Sequence, residues 1–308
     1  MDEQTQGLPE PVKIGCDAAE LDRQRTKARR YSMLLIALWI TAFVIGTIVF
    51  IAAGVVVALI YLIVALAGMG FATISITRIK NKYSTSFKIT IVRAELEKAL
   101  QKLEYNPNER FNDHTLFACG LFPDFNRSEG NDYFAGDCKG RRYTYSDLHL
   151  EEKEEYQTTD SDGNTHTDTR WVTVFRGRLI MFDHDAMIDD SVCVCDKRMR
   201  NFKSDLQTEH IAFNQRYLIK ADDPVAAFRV LTPHMMETIM TVADRIAAPA
   251  SVSFLQGKAF VAIVDEDAFE ADITGNIALA ETHERIKSEV AALVNIFETL
   301  NMITDSRG

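Results

Sequence analysis

The dominant feature of the apolar and polar pattern is residues 31–77, 47 consecutive positions without Asp, Glu, Lys, Arg or His. One helix of that length would run ~70 Å against a hydrocarbon core of ~30 Å, so the run predicts two membrane spans joined by a sharp reversal. Ala52, Ala53 and Gly54 lie near its middle, where small residues permit the turn. The predicted spans are residues 33–51 and 55–75.

Beyond this hairpin the apolar positions return at helical and strand spacing. Ile89, Val92, Leu96, Ala99 and Leu103 predict an amphipathic helix over 86–103, stopped by Asn106-Pro107. Residues 108–142 hold no sustained period and predict short strands and loops. Strands are predicted over 143–150, 171–182, 191–195, 211–213 and 217–220; the second is buried, with Gly177 marking a turn or bulge. Asp162-Gly163 reads as a two-residue hairpin turn, which sets Thr158 opposite Thr167 and Glu155 opposite Arg170.

Asp223-Pro224 and Thr232-Pro233 each join an N-cap residue to proline at the first helical position, so two helices start there. Residues 252–255 and 259–264 flank Gln256-Gly257 as a second hairpin. Ile286, Val290, Leu293, Phe297 and Leu300 give a long helix over 278–302. The expected class is α+β: an N-terminal transmembrane helical hairpin, then a cytoplasmic mixed domain with an antiparallel sheet and a long C-terminal helix. Short turns between successive strands favour antiparallel neighbours, because a parallel pair needs a crossover. The expected division is 1–30 as a disordered tail and juxtamembrane helix, 31–77 as the two-span hairpin, and 78–308 as the cytoplasmic domain.

Charge supplies the topology. Arg23, Arg25, Lys27, Arg29 and Arg30 precede the uncharged run, Arg78, Lys80 and Lys82 follow it, and the turn between the spans carries no charge. Positive residues near span ends stay cytoplasmic, so both termini are expected in the cytoplasm, and the protein is a multi-pass protein of the cell membrane. These eight bases lie beside the headgroups, making the lipid bilayer the first partner. The spans hold no ionisable group, which argues against a transporter or channel. Ala42 with Gly46 and Gly68 with Ala72 are small residues four apart, suited to packing the hairpin or to homo-oligomer contact through it.

Residues 1–32 balance six acids with six bases, so the chain's net charge of −10 belongs to the part after the hairpin. An acidic head disfavours nucleic acid as a partner and leaves an unidentified membrane or cytoplasmic protein as the expected one. The odd cysteine count, five, fits a reducing compartment. Cys193 and Cys195, two apart, share a strand face as core thiols.

No stretch carries a hydrolase elbow, a phosphate loop or a dinucleotide turn, and His283-Glu284 lacks a second histidine at 287. Asp160 to Asn164 faintly resembles a calcium loop, but its sixth position is Thr165 and its twelfth Trp171. No catalytic, cofactor-binding or metal-ligating residue is therefore assigned, and no cofactor is expected. The expected function is a non-catalytic interaction or regulatory domain on a membrane anchor. The alternative is a membrane-anchored hydrolase or metal-dependent enzyme with a site near Asp183, His184 and Asp185, beside Asp189-Asp190, the densest group of possible ligands.

The ordered motifs Asn131-Asp132-Tyr133 with Gly136, Ser146-Asp147-Leu148, Phe175-Arg176-Gly177, Leu231-Thr232-Pro233 and Ser253-Phe254 follow the basic-flanked hairpin. In this order the chain resembles, over about residues 80–304, a bacterial two-span membrane-protein family classed as a domain of unknown function. Asp147 and Arg176 stand where that family's pattern has Glu and Lys. The resemblance implies a bacterial inner-membrane location and no site residues.

Overall fold

The computed structural model of the chain describes residues 18–159, 165–184, 191–199, 206–271 and 279–305. The expected tail at 1–16, the Asp162-Gly163 turn, Asp185 and Asp189-Asp190 lie outside these residues. Two compact units divide the chain: Val12–Ala94 with Glu270–Ile286, and Glu95–Phe269 with Lys287–Gly308.

The first unit is built on two long helices, α1 (Ala18–Ala53) and α2 (Val55–Phe87). The chain reverses between them at Gly54, whose φ of 79° is a conformation that only glycine adopts without strain. Tyr61 of α2 donates its hydroxyl to the Ala42 carbonyl of α1 at 2.9 Å. Gly46 makes room for that ring, since a Cβ there would sit 3.1 Å from Tyr61 Cε1. The Ala42 and Gly46 pair thus packs the hairpin itself, whereas a Cβ on Gly68 would meet nothing.

Most large apolar side chains from Tyr31 to Ile74 point outward, whereas Met69 is buried and Tyr61 packs between the helices. Leu21, Ala28, Tyr83 and Phe87, outside the uncharged run, are buried. Both helices are long and apolar enough to cross a membrane. A single π-helical turn, Lys88–Val92, continues α2 into α3 (Arg93–Ala99). Buried Lys88 on this turn pairs with Glu270 Oε1 at 2.7 Å.

The second unit is an α+β domain around one antiparallel eight-stranded sheet. Its elements are β1 (Gln101–Asn106), α4 (Asp113–Ala118), β2 (Arg127–Cys138), β3 (Arg141–Thr159), β4 (Thr165–Asp183), β5 (Val192–Asp196), α5 (Ile211–Arg216), β6 (Tyr217–Ala221), α6 (Pro224–Val230), α7 (Pro233–Ile246), β7 (Ala250–Leu255), β8 (Lys258–Val264) and most of α8 (Leu279–Asp305). The order across the sheet is β1-β2-β3-β4-β8-β7-β5-β6. Asp223 accepts hydrogen bonds from Val225 N and Ala226 N, and Thr232 from Met235 N, so both proline-led helices are capped as expected.

Alternation along β3 builds two cores. Tyr143 and Tyr145 face α8: Tyr143 stacks on Phe297 at 4.4 Å and donates its hydroxyl to Asn301 Oδ1 at 2.7 Å, and Tyr145 stacks on Phe134. Such aromatic pairs add about 0.5–1.5 kcal/mol beyond their buried area. Leu148 and Leu150 point the other way, into a cluster with Phe111, Leu116, Leu121, Phe175 and Leu179 that also takes Cys193 and Cys195.

Several expectations are corrected. The helix over 86–103 ends at Ala99: Lys102 adopts a φ of 49° and the chain enters β1, so Leu103 falls in a strand whose identity comes from pairing with β2. Residues 108–142 hold a 12-residue strand and a helix capped by Asn112, which accepts from Thr115 N. Residues 211–213 open α5, not a strand, because the His210 ring accepts from Phe213 N at 3.1 Å. Gly177 makes no turn. The ladder with β3 runs through it unbroken, the ladder with β8 begins at it, and the shift between β3 and β4 falls at Leu150/Glu151 instead. The hairpin register is one residue away from expectation: Thr158 faces His166, Glu155 faces Thr169, and Arg170 pairs with Glu154, not Glu155. At the start of the span expected to be buried, Trp171 is 49% exposed.

Candidate functional site

Of the residues of the enzymatic alternative, Asp183 and His184 are among the described ones. Asp183, at the end of β4, turns its exposed carboxylate to Lys258 of β8. His184 follows it with a buried ring 4.8 Å from Phe254, its backbone N–H donated to Gly257 O at 2.8 Å. Among the described residues no three His, Cys, Asp or Glu side chains are grouped as a metal ion would need. Cys119, Cys193 and Cys195 do meet in the core, but burial pushes the first two thiols up to about 12 and about 11 and raises the third as well. They are protonated packing groups at neutral pH.

Three of the motifs quoted above are neighbours on adjacent strands, Asn131 facing Asp147 and Leu148 facing Gly177. Asn131 on β2 and Arg178 on β4 are both cross-strand partners of Asp147 on β3. Asp147 accepts the Tyr145 hydroxyl at 2.7 Å through Oδ1 and the Ala268 N–H at 3.0 Å through Oδ2. Beside it, buried Asp132 occupies a break in the β2 ladder with a φ of 54° and accepts the Tyr105 hydroxyl at 2.5 Å. Burial pushes the Asp147 carboxyl up to about 8, against the opposing pull of the Tyr145 hydrogen bond and the Arg178 charge. A carboxyl that holds its proton at neutral pH is a general acid in principle. This one is 1% exposed, so its chemistry is structural: with Glu289, which accepts the Phe269 N–H at 2.9 Å, it holds the segment 268–269 in place.

One exposed feature of the second unit is the outer half of the β3–β4 hairpin. β2 covers β3 only as far as Glu151, and β8 covers β4 only from Gly177 onward. Among the described residues, 152–159 and 165–172 therefore form strand ladders only with each other, a two-stranded ribbon extending roughly 25 Å at ~3.3 Å per residue. Its two faces differ. One carries Glu152, Glu154, Tyr156, Asp168 and Arg170, the other Lys153, Glu155, Thr169 and Trp171. Arg170 lies 5.6 Å from the centre of the Tyr156 ring and donates two hydrogen bonds to Glu154 Oε2 at 3.1 and 2.9 Å.

The Asp162-Gly163 dipeptide marks a hairpin here but not its reach. The missed signal was the length of the alternating run on either side of Asp162-Gly163, longer than a covered hairpin needs. In the first unit the corresponding feature is the outward apolar band. A groove of about 470 Å³ runs along it between α1 and α2, lined by Trp39, Gly46, Phe50, Leu59, Leu62 and Leu66.

No curated protein matches the sequence. Among solved structures, the crystal structure of the mycobacterial trehalose monomycolate transport factor A, TtfA, is similar with a TM-score of 0.32 at 12% identity, covering 68% of this chain and 93% of that one. Residues 173–302, from the inner half of β4 into α8, match the family model described as "Protein of unknown function (DUF3137)", so the part of the fold similar to that family begins where the ribbon ends.

Proposed function

We propose that this chain is an integral membrane protein of the bacterial inner membrane, with both termini cytoplasmic, whose head is a non-catalytic interaction or regulatory module. The ribbon carries the reading. An isolated two-stranded hairpin gains little stability of its own, and this one exposes Trp171 and Tyr156. Large aromatics on a projecting element suit docking of another protein. The anchor reading rests on the outward apolar band between two basic flanks. Reporter fusions after Glu20, Ala53 and Gly308 test the topology: cytoplasmic activity is expected at the first and last, and periplasmic activity at Gly308 overturns it. A photo-crosslinking residue at Thr169 tests the docking role in native membranes. A protein captured there, and not from exposed Glu237 on α7, is the expected result; no capture from the ribbon removes this reading.

A further inference from the structure

We infer that the free edge of β4 over residues 167–172 takes an added strand from a partner protein, an extended segment in which lysine or arginine alternates with apolar residues. This rests on the docking role proposed for the ribbon and names its partner by chemistry.

The ladder identifies the edge. Glu151 O accepts from Asn126 N at 2.9 Å and Lys153 N donates to Asn126 Oδ1 at 2.8 Å, so these groups of β3 point away from β4. By the alternation of an antiparallel pair, their neighbours Glu155 and Gln157 do the same. The cross-strand partners of Lys153, Glu155 and Gln157 are Trp171, Thr169 and Thr167, whose N–H and C=O groups therefore point outward from β4. Asn126 plugs the first position of the β3 edge. The β4 side is exposed along 166–171. An incoming strand gains its affinity from such main-chain groups and its specificity from alternate side chains.

Charge selects the occupant. Residues 151–173 contain seven acids and two bases, a net −5 out of the chain's −10. A second copy pairing ribbon to ribbon would set those acids against each other, and an anionic bilayer surface would repel them. A strand laid on β4 presents alternate side chains to the two ribbon faces. Basic residues then meet the face of Glu152, Glu154 and Asp168, and apolar ones meet the face of Trp171.

The test uses the full chain in detergent with Trp39→Phe, which leaves Trp171 as its one tryptophan. The probe is an eight-residue peptide alternating Lys and Val, compared with one alternating Glu and Val and with a Lys-Val peptide N-methylated at every second residue. A saturable change in Trp171 emission is expected with the first alone. It should weaken about tenfold or more when Glu152→Gln and Asp168→Asn are combined, and also in high salt. Equal binding of the Glu-Val peptide, undiminished binding after N-methylation, or no response to Lys-Val overturns the inference. The crosslink at Thr169 separates this failure from that of the docking role. A captured protein with no Lys-Val response leaves the docking role standing and removes the basic strand, and capture of a second copy of this chain also overturns it. No capture and no response remove both.

Discussion

Tyr145 and Asp147, two residues apart on one face of β3, are joined by a 2.7 Å hydrogen bond in the interior of the sheet domain, with Asp132 and Arg178 as the neighbouring charges. Burial raises both groups: the phenol goes well above its usual range and the carboxyl to about 8. Below a pH of about 4 the folded and unfolded chains both carry the carboxyl proton. Between about 4 and about 8 the unfolded chain has released it and the folded chain has not, so this group makes stability fall as pH rises. Above that window both are ionised and its contribution is flat. Asp147→Asn cannot titrate, so the pH dependence of its urea midpoint should be flatter than that of the parent between about pH 5 and about pH 8. The Asn can keep both contacts, its oxygen accepting from Ala268 and its amide donating to Tyr145. Parallel pH profiles for parent and variant would show that Asp147 is ionised in the fold.

Gly177 explains how β8 lies so close to β4. A Cβ there would come within 2.0 Å of the Ile263 carbonyl oxygen, and its φ of 153° disfavours any other residue. Backbone cannot swing aside as a side chain can. Gly177→Ala should therefore lower stability by on the order of 3 kcal/mol, read as a large drop in thermal midpoint. A shift within a degree or two of the parent would mean that the two strands part easily.

The long helices and the proline-led helices were legible because their signals are local: an uncharged run, a cap, a period of 3.6. The reversal at Gly54 falls within the Ala52-Ala53-Gly54 stretch expected to carry it. What escaped depends on partners distant in the chain. Gln101–Asn106 continues a helical spacing through Leu103 and is a strand only because β2 lies beside it. Arg127–Cys138 alternates poorly because Asp132 breaks its ladder while buried in a polar cluster drawn from three strands. The hairpin register slipped by one because the turn was placed by its Asp-Gly dipeptide, while the ladder closes at Thr159 and Thr165 around five residues. Asp147 was visible as a motif residue but not as a buried one, since no spacing tells a carboxylate that its neighbours are Tyr145 and Arg178.

The core thiols make a separate test of packing. Cys119, Cys193 and Cys195 are buried, and all three are held protonated by desolvation. A thiol must ionise and be reached to be alkylated. Iodoacetamide at mildly alkaline pH should leave these three unmodified in the folded chain and label them after denaturation, as read by peptide mass spectrometry. Rapid labelling of Cys193 under native conditions would contradict the packing of β5.

Leu293 lies in the buried stripe of α8 with Val290, Phe297 and Leu300, whereas its neighbour Ala292 is exposed. Phe297 stacks on Tyr143, so the stripe is the contact through which α8 covers the β3 face of the sheet. An aspartate at 293 would place a charge there with no partner, and losses of about 3–5 kcal/mol follow from leaving a buried charge uncompensated. Folded domains of this size are stable by only ~5–15 kcal/mol, so Leu293→Asp should unfold the head or leave it soluble only in part. Ala292→Asp adds the same charge to the same turn on the solvent side and should melt within about 0.5 kcal/mol of the parent. The pair separates burial from helix propensity, because both changes cost the helix a similar intrinsic amount. Equal melting of the two variants would show that α8 does not use this face to close the core.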